Sequence, residues 1–469
     1  MTTIIAALAL IGVAAAIGAF AFAHTDVAEP RPAPSTTPTT TSVPSTADST
    51  TTSLADGAPD RDSLAGLRGV LPQAEVTAAF RDRMLGVDPA ITEFMYGPET
   101  YDATIVAALG AIAAGTDGVA SARRINDVTR GGEVCGDIVS CRAALAAGKD
   151  IDYDGESGRL DFAGNGEPTT ADFFLLEVGP QSNSVTGEPC PRSDECIDHG
   201  RAALIEGELP ATADVPTVPV DVERAGDGTF TVGVLLPITG SISYLGAGMT
   251  AAVQLAVDDV NASGGVGGRP VRIVVADSGD VESRLALTTA PQLLDLGADV
   301  VIGAASSYVT ESVIDRITSA GVAMISPSNT SAALSAWPDH GLYFRTAPSD
   351  IMQAKVLADV VVGSGWRTAF AILRDDEYGN SLGRNFETSL TAAGGVLAGI
   401  APYDPNRPDV EQTAAEAVDS GADGIILIGY EESSLVLREL IDRGIDPGHI
   451  LCVDGNIGDD LVRAVEAGR

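Results

Sequence analysis

From Thr229 onward the chain alternates short β-branched runs with amphipathic helical stretches, and few folds accept that rhythm. Val232–Leu236 predicts a strand, and Met249, Val253, Val257 and Val260 then fall on one helical face. Strand Val271–Ala276, helix Leu285–Leu296, strand Val300–Ile302, helix Val309–Ser319 and strand Val322–Ile325 follow. A second set runs through strand Thr368–Leu373, helix Ser381–Ala393, strand Val396–Ile400, helix Val410–Ser420, strand Gly424–Ile428 and helix Ser433–Arg443. Strands separated by helices pair in parallel and carry helices on both faces. Gly297-Ala298-Asp299 and Gly421-Ala422-Asp423 each precede a strand, an internal echo that predicts two similar α/β lobes. Ligands of such sheets bind beyond the carboxyl ends of the strands, so the residues just after each strand are the candidates for function.

The earlier part has another character. Leu67–Leu71 predicts a short strand, Val76–Met84 and Tyr101–Ala114 predict helices, and Leu160–Phe162 with Phe173–Val178 predicts a strand pair. Gln181–Asp227 is rich in Pro, Gly and acids, has little periodicity, and reads as a linker.

Composition narrows the functions. An apolar share of 45% over 469 residues supports a large packed unit. The 65 acidic against 28 basic residues give a net charge of -37, with no basic cluster to neutralise phosphates, so nucleic acid is excluded as a partner. Thr2–Ala23 is uncharged and apolar, roughly 33 Å long as a helix, which suits either a membrane anchor or an export signal ending at Ala21-Phe22-Ala23. Glu29–Ser53 is nearly all Pro, Thr, Ser, Ala and Val, an extended stalk that places the remainder outside the cytoplasm. Cys135 with Cys141 and Cys190 with Cys196 read as two local disulfides in an oxidising compartment, while Cys452 reads as a buried strand thiol. His24, His199, His340 and His449 are scattered and form no metal set, and no G-x-S-x-G or HExxH appears. Gly264-Gly265-Val266-Gly267-Gly268 follows a helix and precedes a strand, the reverse of a phosphate loop. Asp375, Asp376 and Glu377 read as a solvated loop rather than a catalytic cluster. No cofactor, metal or catalysis is expected.

Several motifs carry a family resemblance. They are Pro237-Ile238-Thr239-Gly240, Asn261 through Arg269, Val301-Ile302-Gly303, Ile325 through Thr330, Phe344-Arg345-Thr346, Tyr378-Gly379 and Asp454-Gly455. In that order they resemble the branched-chain amino acid-binding group of type I periplasmic binding proteins, which feed ABC importers. Leu67-Arg68-Gly69-Val70-Leu71-Pro72, Tyr101-Asp102-Ala103 and Gly155 through Phe162 resemble the remaining third of the same family. The closing third therefore comes first and the opening two-thirds last, which implies a circular permutation. A fragment or fusion of two incomplete tandem copies is the rival reading. The resemblance implies an α/β fold of two doubly wound parallel-sheet lobes. Its segments would be 1–24 (signal or anchor), 25–60 (stalk), 61–180 (closing third), 181–227 (linker) and 228–469 (opening two-thirds). Lobe I would take about 74–152 and 228–347; lobe II would take about 61–73, 153–180 and 348–469.

The same resemblance implies an amino acid held as a zwitterion between the lobes, with a membrane ABC permease as partner. Ser307 matches the carboxylate-binding serine, and Asn329 and Thr330 match the segment that completes that subsite. Free N–H groups at helix N-termini suit an anion, although Ser306, Ser307 and Thr330 also fit plain helix caps. Tyr378 and Tyr430 match tyrosines that close over the ligand. Asp454 matches the acidic partner of the ammonium, where the branched-chain group usually carries Glu. Leu245 stands where the family places a bulky aromatic, which leaves the side-chain preference open. A membrane-tethered sensing ectodomain is the alternative function, and a rearranged product without binding a further one.

Overall fold

The computed structural model describes residues 64, 66–72, 76–178, 203–209, 219–407 and 409–457. Lobe I is built on a five-stranded parallel sheet. Its strands are β7 (Thr231–Leu236), β8 (Arg272–Asp277), β9 (Val300–Gly303), β10 (Ala323–Ser326) and β11 (Tyr343–Arg345), in the order β11-β10-β9-β7-β8. β7, β9 and β10 are buried along their whole length, which is why they read as unbroken apolar runs rather than alternating ones. Helices α5 (Gly246–Ala262), α6 (Ala286–Asp295) and α7 (Ser307–Thr318) cover this sheet. So does α2 (Gly97–Ala114) from the early chain, and α1 (Ala78–Val87) packs with it on α5.

Lobe II contains a seven-stranded sheet drawn from both ends of the chain. Strands β12 (Thr368–Arg374), β13 (Val396–Tyr403), β14 (Gly424–Ile428) and β15 (Ile450–Val453) run parallel. β1 (Arg68–Leu71) adds in parallel beside β15, with Gly69 opposite Cys452. β5 (Thr170–Glu177) and β6 (Ala203–Glu208) then follow antiparallel, completing the order β13-β12-β14-β15-β1-β5-β6. Gly69 is required by packing: a Cβ there would run into the side chain of Ile457. Helices α8 (Asp350–Gly363), α9 (Glu377–Ala392), α10 (Val410–Ser420) and α11 (Ser433–Asp442) complete the lobe.

Three expectations change. Leu160–Phe162 does not pair with Phe173–Val178. The strand pair is instead the hairpin β3 (Ile151–Gly155) and β4 (Gly158–Arg159), joined to β2 (Glu133–Cys135), while Phe162 only bridges Pro168. Buried Asp102 on α2 sets this register: its carboxylate accepts from Tyr153 Oη at 2.6 Å, Glu156 N at 3.1 Å and Ser157 N at 2.6 Å. The hairpin consequently sits with lobe I, and the chain crosses to lobe II within residues 160–169 rather than at 153. Second, the described part of the expected linker carries regular structure. It supplies β6, and beyond it Val220 and Val222 pack on the lobe I core while Arg224 pairs with Asp299 at 2.7 Å. Third, α9 begins at Glu377 rather than Ser381, because Asp376 caps it by accepting from Gly379 N at 3.0 Å.

The chain passes between lobes four times, from β1 to α1, from β4 to β5, from β6 to β7 and from β11 to α8. Two of these crossings are tied together by fully buried Arg345, which pairs with Glu167. Arg345 also donates to the Ser331 carbonyl at 2.9 Å and to Ser335 Oγ at 2.6 Å. Cys135 and Cys141 form a disulfide from β2 to α4 (Ile138–Ala146). Cys452 is a buried free thiol on β15. Cys190, Cys196, the stalk and Thr2–Ala23 lie outside the described residues. Among the described residues, no helix is long and apolar enough to cross a membrane.

Candidate functional site

Parallel strands end on one side of each sheet, and the turns after them from both lobes meet over a narrow cavity with ≈ 30 Å³ of free volume. Lobe I contributes hydroxyls. Ser307 opens α7 and Thr330 follows β10; both are buried, and both line the cavity with Ser328 and Ala305. Ser306 occupies the N-cap of α7, yet its side chain makes no capping bond, so the simple capping account does not apply to it. α7 begins at Ser307, which lines the cavity, and no side chain caps its first turn; a helix start of this kind favours an anion.

Asn329 is placed differently from its neighbours. Its amide donates to the Ala305 carbonyl at 2.8 Å and accepts from Tyr343 Oη at 3.0 Å, so the side chain braces the loop and does not line the cavity. Leu245 lines the cavity in a 3-10 turn, Ser243–Leu245. Tyr244, one residue earlier, lines it too, so the aromatic surface absent from position 245 is supplied next door.

Lobe II supplies the acid and the rings. Asp454 follows β15 and is buried. Its Oδ1 accepts from Gln353 Nε2 and Tyr378 Oη, each at 2.8 Å, and its Oδ2 accepts from Tyr96 Oη at 3.0 Å. Burial pushes its pKa up, and these donors oppose the rise. A carboxylate has about four acceptor sites; three are filled, which leaves room for one more donor. Tyr378 stacks on Tyr430 at 5.1 Å with 12° between the rings, and the Arg374 guanidinium covers Tyr430 at 4.4 Å. Burial, followed by the nearby Asp454, pushes the Tyr378 phenol well above its usual range, so it remains a donor.

Tyr96 and Met95 also line the cavity, and no sequence period marks them. Tyr96 is the N-cap of α2 in a left-handed conformation, φ 58°, uncommon outside glycine. It reaches from lobe I to Asp454 of lobe II, a direct bond across the cleft. The signal was Tyr96-Gly97-Pro98-Glu99, a helix start with Pro inside its first turn.

Beside the cavity, residues adjacent in sequence to its lining form a hollow of ≈ 800 Å³. Nine carboxylates rim it: Asp280, Glu282, Glu311, Asp375, Asp376, Glu377, Asp404, Glu431 and Glu432. Arg374, its one cation, is paired with Asp376 and with Glu432 at 2.8 Å. Glu311 on α7 faces Asp376 and Glu377 at the start of α9. Burial, then those two charges, raise its pKa to about 7.

A family profile described as periplasmic binding protein matches residues 229–468. The chain belongs to that family. Among curated relatives it is 29% identical over 220 residues to a Leu/Ile/Val-binding protein homolog from Brucella melitensis, covering 46% of this chain and 59% of the relative. It is 25% identical over 220 residues to the leucine-, isoleucine-, valine-, threonine- and alanine-binding protein of Pseudomonas aeruginosa, covering 46% and 58%. The chain thus spans somewhat over half the length of these relatives. Among solved structures, it is 24% identical to a branched-chain amino acid transporter substrate-binding protein from Streptococcus pneumoniae in complex with isoleucine. That similarity covers 50% of this chain and 67% of the other, with a TM-score of 0.45.

Proposed function

We propose that this periplasmic binding protein captures an amino acid or similar small zwitterion between its lobes, outside the cytoplasm, and presents it to a membrane ABC permease without turnover. The supporting observation is the polarity of the cavity: Asp454 stands in its lobe II wall, and the hydroxyls of Ser307 and Thr330 stand with an uncapped helix start in its lobe I wall. Those walls match the two ends of a zwitterion. Met95, Ile242 and Leu245 supply apolar surface for a side chain. Closure would be a hinge motion at the crossings between lobes, favoured by contacts that only the closed state makes.

We also read the chain as the family fold in permuted order. The position of β1 and β5 beside β15, and of α2 against α5, supports that reading, because early and late segments complete the same two lobes.

Thermal unfolding of the full chain against the twenty amino acids tests the function. One ligand class should raise Tm by several degrees, since a ligand that binds only the native state stabilises it. A cooperative melt that no amino acid shifts would retain the fold and reject the assignment.

A further inference from the structure

Away from the cleft, a pocket of ≈ 250 Å³ opens at the amino end of β11, on the edge of the lobe I sheet. It shares no lining residue with the cleft cavity. Its wall holds Asn165 from the β4–β5 crossing, Val220 from the β6–β7 crossing, and Tyr343 and Phe344 of β11, which leads into the β11–α8 crossing. Asn126, on the helical turn Ile125–Val128, closes it from the body of lobe I. Contacts around the pocket pin these crossings in place. His340 Nδ1 lies 2.7 Å from Asp221 Oδ1, next to Val220, and the Gly166 carbonyl accepts from Arg345 N at 3.0 Å. Gly166 lies so near Phe344 that a Cβ would overlap the ring. Three of the four crossings therefore meet in one pocket wall.

The spare polar capacity of this wall is all on the acceptor side. The Asn126 amide donates to the Gly164 carbonyl at 3.4 Å, and the Asn165 amide donates to the Ser335 carbonyl at 3.1 Å. Those carbonyls fix which way each amide turns. The Oδ1 of each is buried, and no donor among the described residues reaches either one, a costly state for an amide oxygen. Asp339 also lines the pocket and is 5% exposed. Its carboxylate accepts from Gly341 N at 3.0 Å and Tyr343 N at 2.7 Å, which leaves about two of four acceptor sites. Arg123, the one cation in the lining, is turned to Glu223 at 3.0 Å. A bridging water needs only about 10–15 Å³, so the pocket has room for a small organic molecule. We propose that this pocket is a second binding site, separate from the cleft, for a small organic cation of the guanidinium class. A planar fork of N–H donors serves two acceptors on different side chains at once, here Asn126 Oδ1 and Asn165 Oδ1. The charge is balanced by Asp339, and Phe344 supplies an aromatic surface. A cation seated there ties three crossings to lobe I.

The test is titration calorimetry of the full chain with methylguanidinium, and with tetramethylammonium as a cation of equal charge that carries no N–H donor. Its result does not depend on whether the cleft takes an amino acid. Methylguanidinium is expected to bind saturably and tetramethylammonium to give no saturable heat. Replacing both amides, Asn126→Leu with Asn165→Leu, should weaken methylguanidinium binding at least about tenfold, the worth of one hydrogen bond to a charged group. Equal responses to the two cations would overturn the site, because they would report only attraction to a chain of net charge -37. No saturable response to either would overturn it too, leaving the pocket to water. Unchanged binding in the double variant would place the cation elsewhere, such as the carboxylate-rimmed hollow, and would also reject the proposal. If the double variant does not melt cooperatively, Val220→Trp replaces it by filling the pocket from half-exposed Val220. Loss of methylguanidinium binding is expected there, and wild-type affinity would contradict the assignment.

Discussion

At the scale of single residues, charge placement governs both binding and pH response. Asp454→Asn keeps the shape of the cavity wall and removes the charge, so affinity for an ammonium ligand should fall roughly 10- to 100-fold by calorimetry, the worth of one charge-assisted bond. Glu311 predicts a different behaviour. Its folded pKa of about 7 lies above the ordinary glutamate value, so the folded state binds more protons and loses stability as pH rises through that interval. Glu311→Gln should therefore raise Tm at pH 8 and leave it nearly unchanged at pH 4.5, as read by thermal melts in matched buffers. The family motifs pointed to Ser307, Thr330, Tyr378, Tyr430 and Asp454, all of which follow strands, where a parallel sheet presents its carboxyl-end residues together. They did not reveal that Asn329 turns its amide back onto Ala305. Nor did they reveal Tyr96, which reaches the cavity through a left-handed turn rather than a strand end.

At the scale of elements, helices and central strands were legible, because burial on one or both faces imposes a period on the sequence. The elements missed are those fixed by a tertiary partner. The β3–β4 hairpin is held by Asp102 from α2, and β6 exists because β5 offers it an edge. Asp102→Ala would leave Tyr153 Oη and two backbone amides without their acceptor. It should cost roughly 3 kcal/mol in denaturant unfolding. Gly69→Val should prevent β1 from seating beside β15, since its side chain would occupy the space of Ile457; loss of soluble, cooperatively melting protein would be the readout.

At the scale of the whole molecule, the two lobes are joined by crossings that share a buried ion pair. Removing one partner of such a pair costs about 3–5 kcal/mol, because the other charge stays buried. Arg345→Met should thus lower Tm on the order of 10 °C. The same substitution releases the carbonyl of Ser331, so binding should weaken as well as stability. The two-lobed plan was legible in the alternation from Thr229 onward, but the placement of early segments in both lobes came only from motif resemblance. Nothing in local periodicity states that β1 lies beside β15, some 380 residues away in sequence.

The most direct test of the central claim is a crystal structure of the chain with the amino acid that raises Tm most. The account predicts the ligand ammonium within hydrogen-bond reach of Asp454, and its carboxylate against Ser307, Thr330 and the start of α7. A ligand bound outside this cavity, or bound within it with its ammonium away from Asp454, would contradict the account.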